Sequence, residues 1–185
     1  MKWTIMIATV PQRSRELARL LHRLYPQLTD EVELLINGKD LVPIGLKRQA
    51  MLCEAKGEYV NFIDDDDLVP KDYVETLLPL MDGTDYIGFQ LQMYNKGVKD
   101  KPTYHNLKYT EWCENQIGYY RGVSHLNPIR RDIALKGKFE GGAGEDKHWA
   151  DQVQPYCETA HYVDRVMYHY YFDYTKSLTQ GRNNG

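Results

Sequence analysis

The chain starts with a continuous apolar run, and its apolar positions then take the spacing of a helix. An apolar and β-branched run at residues 3–10 stops at Pro11, which predicts a buried first strand. Between Ser14 and Pro26, apolar residues recur at the i, i+3, i+4 and i+7 positions, which predicts an amphipathic helix. The buried face of this helix is predicted to consist of Leu17, Leu20, Leu21 and Leu24.

The alternation of strand and helix continues beyond this first pair. Residues 32–36 predict a second apolar strand, which a turn at Asn37-Gly38 ends. A second helix is predicted from about residue 45 to residue 55, and Gly57 follows it at a position favoured after helix ends. We expect this helix to bury Leu46, Ala50 and Cys53. Residues 59–63 predict the third strand.

This order of elements predicts an α/β fold whose sheet is mixed, mostly parallel and flanked by helices. Strand–helix–strand units pair in parallel through right-handed crossovers, and helices cover both faces of the sheet. Ligands bind such sheets at the carboxyl ends of the strands. The third strand leads directly into Asp64, Asp65, Asp66 and Asp67. Four carboxylates are therefore expected at the binding edge.

The second half of the chain has a less regular pattern. Pro70 begins a third predicted helix with a buried stripe of Tyr73, Leu77 and Leu80 or Met81. Further strands are predicted at residues 85–94, 104–109, 118–126 and 162–172, with a turn at 95–100. A short helix from Pro128 through Leu135, a glycine-rich loop at 141–144 and a helix from 145 to about 154 lie between them. The tail at 180–185 is expected to fray.

Length and composition indicate a single globular domain. The chain has 185 residues, of which 42% are hydrophobic and 26% are charged, close to the averages for globular proteins. A net charge of -3 and the lack of a clear basic patch argue against nucleic-acid binding. The sequence shows no transmembrane segment and no signal peptide, so a cytoplasmic protein is expected. The three cysteines, Cys53, Cys113 and Cys157, are predicted to be reduced packing residues.

Four consecutive aspartates at the end of a buried strand are electrostatically costly. Neighbouring carboxylates repel and raise each other's pKa, and a divalent cation would compensate them. Mg²⁺ and Mn²⁺ commonly take one or two carboxylate ligands from a protein and leave other positions for phosphate oxygens and water. The run would also suit a solvated turn or the exposed start of the helix at Pro70. Taken alone it favours this second interpretation, because charged loops are common.

The residues around the aspartates change that balance, because they resemble a known family. Residues 45–70 read GLKRQAMLCEAKGEYVNFIDDDDLVP. This stretch resembles glycosyltransferase family 2 at Arg48, Gly57, Glu58, Tyr59, Phe62, Asp64, Asp66 and Asp67. The resemblance implies a single-domain GT-A (Rossmann-like) fold. It also implies that Asp64 and Asp65 contact the nucleotide, while Asp66 is the end of a D-x-D motif that binds Mn²⁺ or Mg²⁺.

Two strand turns and one arginine are further candidates for the nucleotide-sugar site. Residues 8–13, ATVPQR, resemble the family's base-holding turn, which implies roles for Thr9, Pro11 and Arg13. The second-strand turn ends in Asp40 but lacks the family's usual acidic residues, so the role of Asp40 and the identity of the base stay open. Arg48 suits a partner for the diphosphate or the acidic run, but it could equally be an exposed helix residue.

A second resemblance lies downstream and concerns catalysis. Residues 125–149, HLNPIRRDIALKGKFEGGAGEDKHW, are similar to the family's segment that ends in an E-D pair. The resemblance implies that Asp146 is the catalytic base of an inverting transferase, with Glu145 beside it. Sugar transfer needs such a carboxylate to take the proton of the attacking hydroxyl. The pair could also simply favour a helix N-terminus through the helix dipole.

The last match, at residues 166–178, VMYHYYFDYTKSL, resembles the family's closing strand and the loop after it. His169 is a candidate ligand of the metal or the diphosphate, although a lone histidine in a tyrosine-rich strand more often serves packing. With this match the resemblance covers nearly the whole chain. We divide it into a nucleotide-binding half, 1–82, and an acceptor and catalytic half, 83–185.

The family resemblance, with the acidic run and the E-D pair, implies a metal-dependent glycosyltransferase. It would move a sugar from a nucleoside diphosphate donor, a UDP-sugar, to an acceptor hydroxyl with inversion. The acceptor could be a glycan, a lipid, a protein or a modified nucleic acid base. Two alternatives stay open: a nucleotidyltransferase, which would make pyrophosphate, and a catalytically silent nucleotide-sugar-binding module.

Overall fold

The computed structural model describes residues 1–142 and 144–172. The described strands are β1 (Trp3–Ala8), β2 (Val32–Asn37), β3 (Tyr59–Phe62), β4 (Tyr86–Asn95), β5 (Val98–His105), β6 (Cys113–Glu114), β7 (Tyr119–Arg121), β8 (Ile129–Arg130) and β9 (Ala160–Phe172). The described α-helices are α1 (Ser14–Leu24), α2 (Ile44–Glu54), α3 (Tyr73–Leu77), α4 (Arg131–Ala134) and α5 (Glu145–Val153). The predicted tail at 180–185 and the part of the 166–178 match after residue 172 lie outside the described residues.

The described strands form one mixed sheet. Its order is β2-β1-β3-β8-β4-β5-β7-β6, and β9 pairs with β4. β1 pairs in parallel with β2 and β3, as the strand–helix–strand repeat predicts. β8 runs antiparallel between β3 and β4, whereas β9 runs parallel to β4. The predicted α/β fold with a mixed sheet flanked by helices is confirmed.

Alternate residues of β1 face two separate cores. Ile5 packs in one core with Leu20 of α1 and Tyr73 of α3. Met6 lies in the other core with Trp149 of α5. Because successive side chains of a strand point to opposite faces, helices cover the sheet on both sides. The predicted face of α1 is confirmed, since its leucines are buried or half-buried in the first core: Leu17, Leu20, Leu21 and Leu24.

The predicted buried face of α2 is wrong. Leu46 is 51% exposed, and Ala50 and Cys53 are also exposed. The buried residues of this helix are Gly45, Lys47, Arg48, Met51 and Leu52. A Cβ at Gly45 would lie 1.7 Å from the Glu140 carbonyl oxygen, so the start of α2 packs directly on the backbone of the segment before α5. Lys47 and Arg48 lie on this inward face of the helix.

Several boundaries in the second half differ from the predicted ones. β4 and β5 join through a tight turn at Lys96 and Gly97, so the predicted turn at 95–100 is too long. The strand predicted at 118–126 shrinks to β7, because the chain then leaves the sheet as the buried segment 122–128. The helix predicted at 128–135 is wrong in its first residues, since Ile129 pairs with both β3 and β4.

The cysteines and the helices bear on two further expectations. Cys53, Cys113 and Cys157 are free, as predicted, but the first two are exposed and therefore are not packing residues. Within residues 1–142 and 144–172, every helix is too short or too polar to span a bilayer.

Candidate active site

The acidic run follows β3 at the carboxyl edge of the parallel strands. Asp65 and Asp67 are buried, at 3% and 1% exposure. The side chains of Asp64 and Asp66 are 28% and 32% exposed. The run is therefore not a solvated turn, because half of its carboxylates lie inside the protein and the other half line an open edge. This is the edge where α/β sheets bind ligands.

The turn after β1 holds Asp65 from one side. Thr9 donates a hydrogen bond from Oγ1 to Asp65 Oδ2 at 2.6 Å. Arg13 Nη1 lies 2.7 Å from Asp65 Oδ1 and 2.8 Å from Asp66 Oδ2. Pro11 begins the single 3₁₀ turn that carries Arg13. The structure thus brings Thr9 and Arg13 to the acidic run, with Pro11 exposed at the start of the turn.

Asp40 lies apart from this cluster. It is exposed on the loop after β2, and its side chain contacts Gln12 Nε2 at 3.4 Å. Leu41, the next residue, is 89% exposed and has a φ of 60°. Within the described residues, no contact joins Asp40 to the aspartates after β3.

Lys47 belongs to the site but was not predicted from the sequence. It is 2% exposed and donates from Nζ to the Thr9 carbonyl oxygen at 2.6 Å. Burial lowers its pKa, while the nearby Asp65 and Asp40 carboxylates oppose that shift. A buried cation beside the first-strand turn adds positive charge where an anionic ligand would lie. The sequence did not indicate this role, because a lysine on a helix is usually exposed.

Arg48 joins the acidic run to α5. Its Nη2 lies 2.7 Å from Asp64 Oδ1, and its Nη1 lies 2.6 Å from Glu145 Oε1. Burial opposes the charged guanidinium, but Asp64 and Glu145 outweigh burial and raise the pKa of Arg48. Although burial opposes it, Arg48 also holds the pKa of Asp64 below its ordinary value. Of the two interpretations of Arg48, the structure favours a partner of the acidic run.

The E-D pair opens helix α5 as the sequence predicts. Gly144 precedes it with a φ of 79°, a conformation that glycine adopts without strain. Glu145 is buried, and burial raises its pKa despite the Arg48 charge. The Asp146 side chain is 35% exposed and faces His125, whose Nδ1 lies 3.8 Å from Asp146 Oδ2. Glu145 and Asp146 therefore lie beside Asp64 of the acidic run, with Arg48 and His125 between them.

Asp66 and Asp67 differ in environment although they are adjacent. Burial and the neighbouring Asp64 and Asp65 raise the pKa of Asp66 to about 6, against the opposing Arg13 charge. Asp67 is fully enclosed and accepts a hydrogen bond from the Tyr171 amide at 2.7 Å. Burial, followed by its acidic neighbours, raises its pKa well above the ordinary value. Asp66 is thus the exposed carboxylate of this pair, and Asp67 ties the run to β9.

The residues present fit a divalent cation that takes one carboxylate from the protein and its other ligands from a bound diphosphate and water. Asp66 offers a partly exposed carboxylate in surroundings that disfavour its negative charge, which a cation would relieve. Within the described residues, no group of three or more His, Cys, Asp or Glu side chains could hold a metal by itself. This set suits Mg²⁺ or Mn²⁺, which commonly bind through one or two carboxylates plus phosphate oxygens and water.

The backbone of His169 lies next to the end of the acidic run. Its amide and carbonyl pair with Leu68, immediately after Asp67. Its Nδ1 lies 3.4 Å from the Tyr94 hydroxyl, and the two rings are 6.0 Å apart. Burial lowers the pKa of His169, with a further contribution from Arg23. Its described side-chain contacts are thus those of a packed, hydrogen-bonded histidine.

Comparison with protein families identifies the class of this domain. A sequence profile described as glycosyl transferase family 2 matches residues 44–137, just over half of the chain. The matched segment contains α2, β3 and the acidic run. The chain belongs to glycosyl transferase family 2. No curated protein sequence matches the chain significantly.

Solved structures of S. aureus TarS share the fold. A TarS fragment in complex with UDP-GlcNAc superimposes with a TM-score of 0.72 at 15% identity, covering 98% of this chain and 61% of that one. The UDP complex gives 0.71 at 16% identity, covering 93% and 61%. A longer TarS structure gives 0.68 at 15% identity, covering 93% of this chain and 37% of that one. The chain thus spans between about one third and two thirds of these structures.

Proposed function

We propose that this chain transfers a sugar from a nucleoside diphosphate donor, UDP-linked, to an acceptor hydroxyl with inversion. Donor binding is assigned to the half at 1–82. Acceptor binding and proton removal are assigned to the half at 83–185. Membership of glycosyl transferase family 2 supports the reaction type.

The observation that carries the proposal is the Arg48 bridge between Asp64 and Glu145. The two carboxylates are 81 residues apart in sequence, yet one buried guanidinium binds both within 2.7 Å. Transfer needs a site for the leaving diphosphate and a base for the acceptor in the same cleft. The bridge joins the candidate donor carboxylates to the segment that contains Asp146.

Positive charge around the first-strand turn suits a diphosphate. Arg13 is partly buried beside Asp65 and Asp66, with 20% of its side chain exposed, and Lys47 is buried behind Thr9. The structurally similar TarS fragments are in complex with UDP-GlcNAc and with UDP. We assign Thr9, Pro11, Arg13, Arg48, Asp64 and Asp65 to the nucleotide-sugar site. Asp40 is proposed at its rim.

Asp66 is the proposed protein ligand of Mn²⁺ or Mg²⁺, with His169 retained as a second candidate. When bound, the cation would neutralise charge on the departing diphosphate. Asp146 takes the proton from the acceptor hydroxyl. The acceptor oxygen forms a bond to the anomeric carbon as the bond from that carbon to the phosphate oxygen breaks. The nucleoside diphosphate leaves from the opposite face, so the configuration inverts.

Donor binding is tested by titrating UDP into the protein with and without Mn²⁺ in a calorimeter. Wild-type protein should bind UDP more tightly with Mn²⁺, and Asp66→Asn should lose most of that gain. Asp132→Asn is the matched control, because Asp132 is an exposed carboxylate paired with Arg130 outside the site. Absent or metal-independent UDP binding would remove the donor-site assignment.

Chemistry is tested by following release of UDP from UDP-sugars. Asp146→Asn should lower kcat by about 10²–10⁴-fold, the usual contribution of a general base. Asp151→Asn is the control, because Asp151 lies on the same helix and pairs with Lys147 at 2.5 Å. Near-normal turnover of Asp146→Asn would refute its role. Release of pyrophosphate would indicate a nucleotidyltransferase, and UDP binding without turnover would indicate a silent binding module.

A further inference from the structure

His125 lies between the two groups of carboxylates and is absent from the roles assigned above. Its side chain is almost fully buried, at 5% exposure. Its carbonyl oxygen accepts a hydrogen bond from the Phe62 amide at 2.8 Å. The imidazole also packs against the Phe62 ring, with centroids 6.1 Å apart. The last residue of β3 therefore fixes both the backbone and the ring of His125.

The two ring nitrogens of His125 face different carboxylates. Nε2 lies 3.9 Å from Asp64 Oδ2, and Nδ1 lies 3.8 Å from Asp146 Oδ2. Both distances are longer than a hydrogen bond. Among residues 1–142 and 144–172, buried Nε2 finds no hydrogen-bond partner, which is uncommon for a buried polar atom. The ring thus has hydrogen-bonding capacity directed at both carboxylates.

A second buried histidine shows what a purely structural role looks like in this fold. His105 Nδ1 lies 2.6 Å from Asn127 Oδ1, and burial lowers the pKa of His105 to about 3. That ring has a polar partner within the core and no carboxylate beside it in the described contacts. His125 differs on both counts.

We infer that His125 is a positioning residue for Asp146, which rests on the proposed function. Histidine donates from one ring nitrogen when neutral and from both when protonated. A closure of roughly 1 Å would bring both carboxylates within hydrogen-bond distance of the ring. Arg48 already links Asp64 to Glu145, and His125 lies between Asp64 and Asp146 with Nδ1 directed at Asp146. A hydrogen bond donated from Nδ1 would hold the base in place relative to the donor carboxylates.

The test compares His125→Leu with His125→Asn in the UDP-release assay. Leu removes every polar group, whereas the Asn amide keeps a donor close to the Nδ1 position. His125→Leu should lower kcat roughly 10–100-fold, the size expected for the loss of one hydrogen bond to a charged group. The KM for the donor and the UDP affinity should change less than about threefold, because only transition-state positioning is lost. His125→Asn should recover about tenfold of the loss in kcat.

A double-mutant cycle separates this role from packing. In the Asp146→Asn background, His125→Leu should cost less than about threefold, because residues that act as a unit are not additive. The role of His125 would be overturned if His125→Leu lowered kcat as much in the Asp146→Asn background as in the wild type. It would also be overturned if His125→Leu alone left kcat unchanged. A kcat loss in His125→Asn equal to that in His125→Leu would also overturn it and indicate packing. Absence of UDP release by the wild-type protein would refute the proposed function, and the role of His125 with it.

Discussion

Replacing Arg48 by Met should destabilise the fold by about 3 kcal/mol, the lower end of the cost of breaking a buried ion pair. Methionine keeps the aliphatic stem of the side chain but leaves Glu145 buried, with 7% of its side chain exposed and no counter-charge. Asp64 suffers less, because 28% of its side chain remains in contact with solvent. We therefore take the lower end of the range.

The assay is urea denaturation followed by circular dichroism. With a slope of about 2 kcal/mol/M for a domain of this size, the midpoint should fall by roughly 1.5 M. Lys56→Met is the matched control, because the Lys56 side chain is 77% exposed and lies 3.9 Å from Glu33. Such exposed pairs contribute about 0–1 kcal/mol. Equal midpoints for Arg48→Met and Lys56→Met would refute the bridge as a source of stability.

The pH dependence of the stability lost in Arg48→Met provides a second check. Burial raises the pKa of Glu145 even with Arg48 present, and it should rise further without Arg48. A carboxyl whose folded-state pKa lies above its unfolded value loses stability as the pH rises between those values. The cost of Arg48→Met should therefore be larger at pH 7 than near pH 4. In a Glu145→Gln background the same substitution should cost at least about 1 kcal/mol less.

Three further predictions concern the edge of the sheet. The folded-state pKa of Asp66, about 6, exceeds the ordinary 3.8, so its ionisation lowers stability as the pH rises through that window. Asp66→Asn should raise the unfolding free energy at pH 7 by about 1–3 kcal/mol and change it little near pH 3, measured by urea denaturation. Gly45→Ala should cost about 2–3 kcal/mol, because its Cβ would overlap the Glu140 carbonyl; an unchanged thermal midpoint would contradict that contact. Tyr168→Phe removes the hydroxyl that accepts a hydrogen bond from the Asp64 amide at 3.0 Å. It should lower the unfolding free energy by about 1–2 kcal/mol, measured by urea denaturation.

The first half of the fold could be predicted from the sequence because its period is regular. The β1, α1 and β2 segments each show the expected spacing, and their order fixes parallel pairing with the carboxyl ends at one edge. The sequence alone therefore predicted that the acidic run lies at the ligand-binding edge of the sheet. The E-D pair was found through the family resemblance of residues 125–149, since its place at the start of a helix alone would have indicated only a favourable interaction with the helix dipole.

Other features depend on contacts that have no local signal. The predicted face of α2 was wrong because Lys47 and Arg48 are buried against polar groups of other segments, the Thr9 carbonyl for Lys47 and two carboxylates for Arg48. A hydrophobic pattern cannot indicate such contacts. His125 lies in an irregular buried segment, so neither spacing nor period distinguishes it from a core residue. Its relation to Asp146 appears only when β3 and α5 are packed together.

The compensation of the four aspartates differs from the one expected. From the sequence, their mutual repulsion indicated a metal ion. In the structure, Arg48 binds Asp64, while Thr9 and Arg13 bind Asp65. These internal partners offset the charges of Asp64 and Asp65, whereas the pKa values of Asp66 and Asp67 stay raised.

Asp66 and Asp67 are both incompletely compensated, and Asp66 is the one of this pair that is partly exposed. Its carboxylate shares Arg13 with Asp65, and its pKa remains raised. A divalent cation at Asp66 would have to compete with the Arg13 guanidinium for the same oxygen. A bound diphosphate would offer Arg13 other anionic oxygens and so lower that competition. Cation and diphosphate should therefore bind cooperatively, and Arg13→Gln should make Mn²⁺ affinity less dependent on UDP in calorimetric titrations.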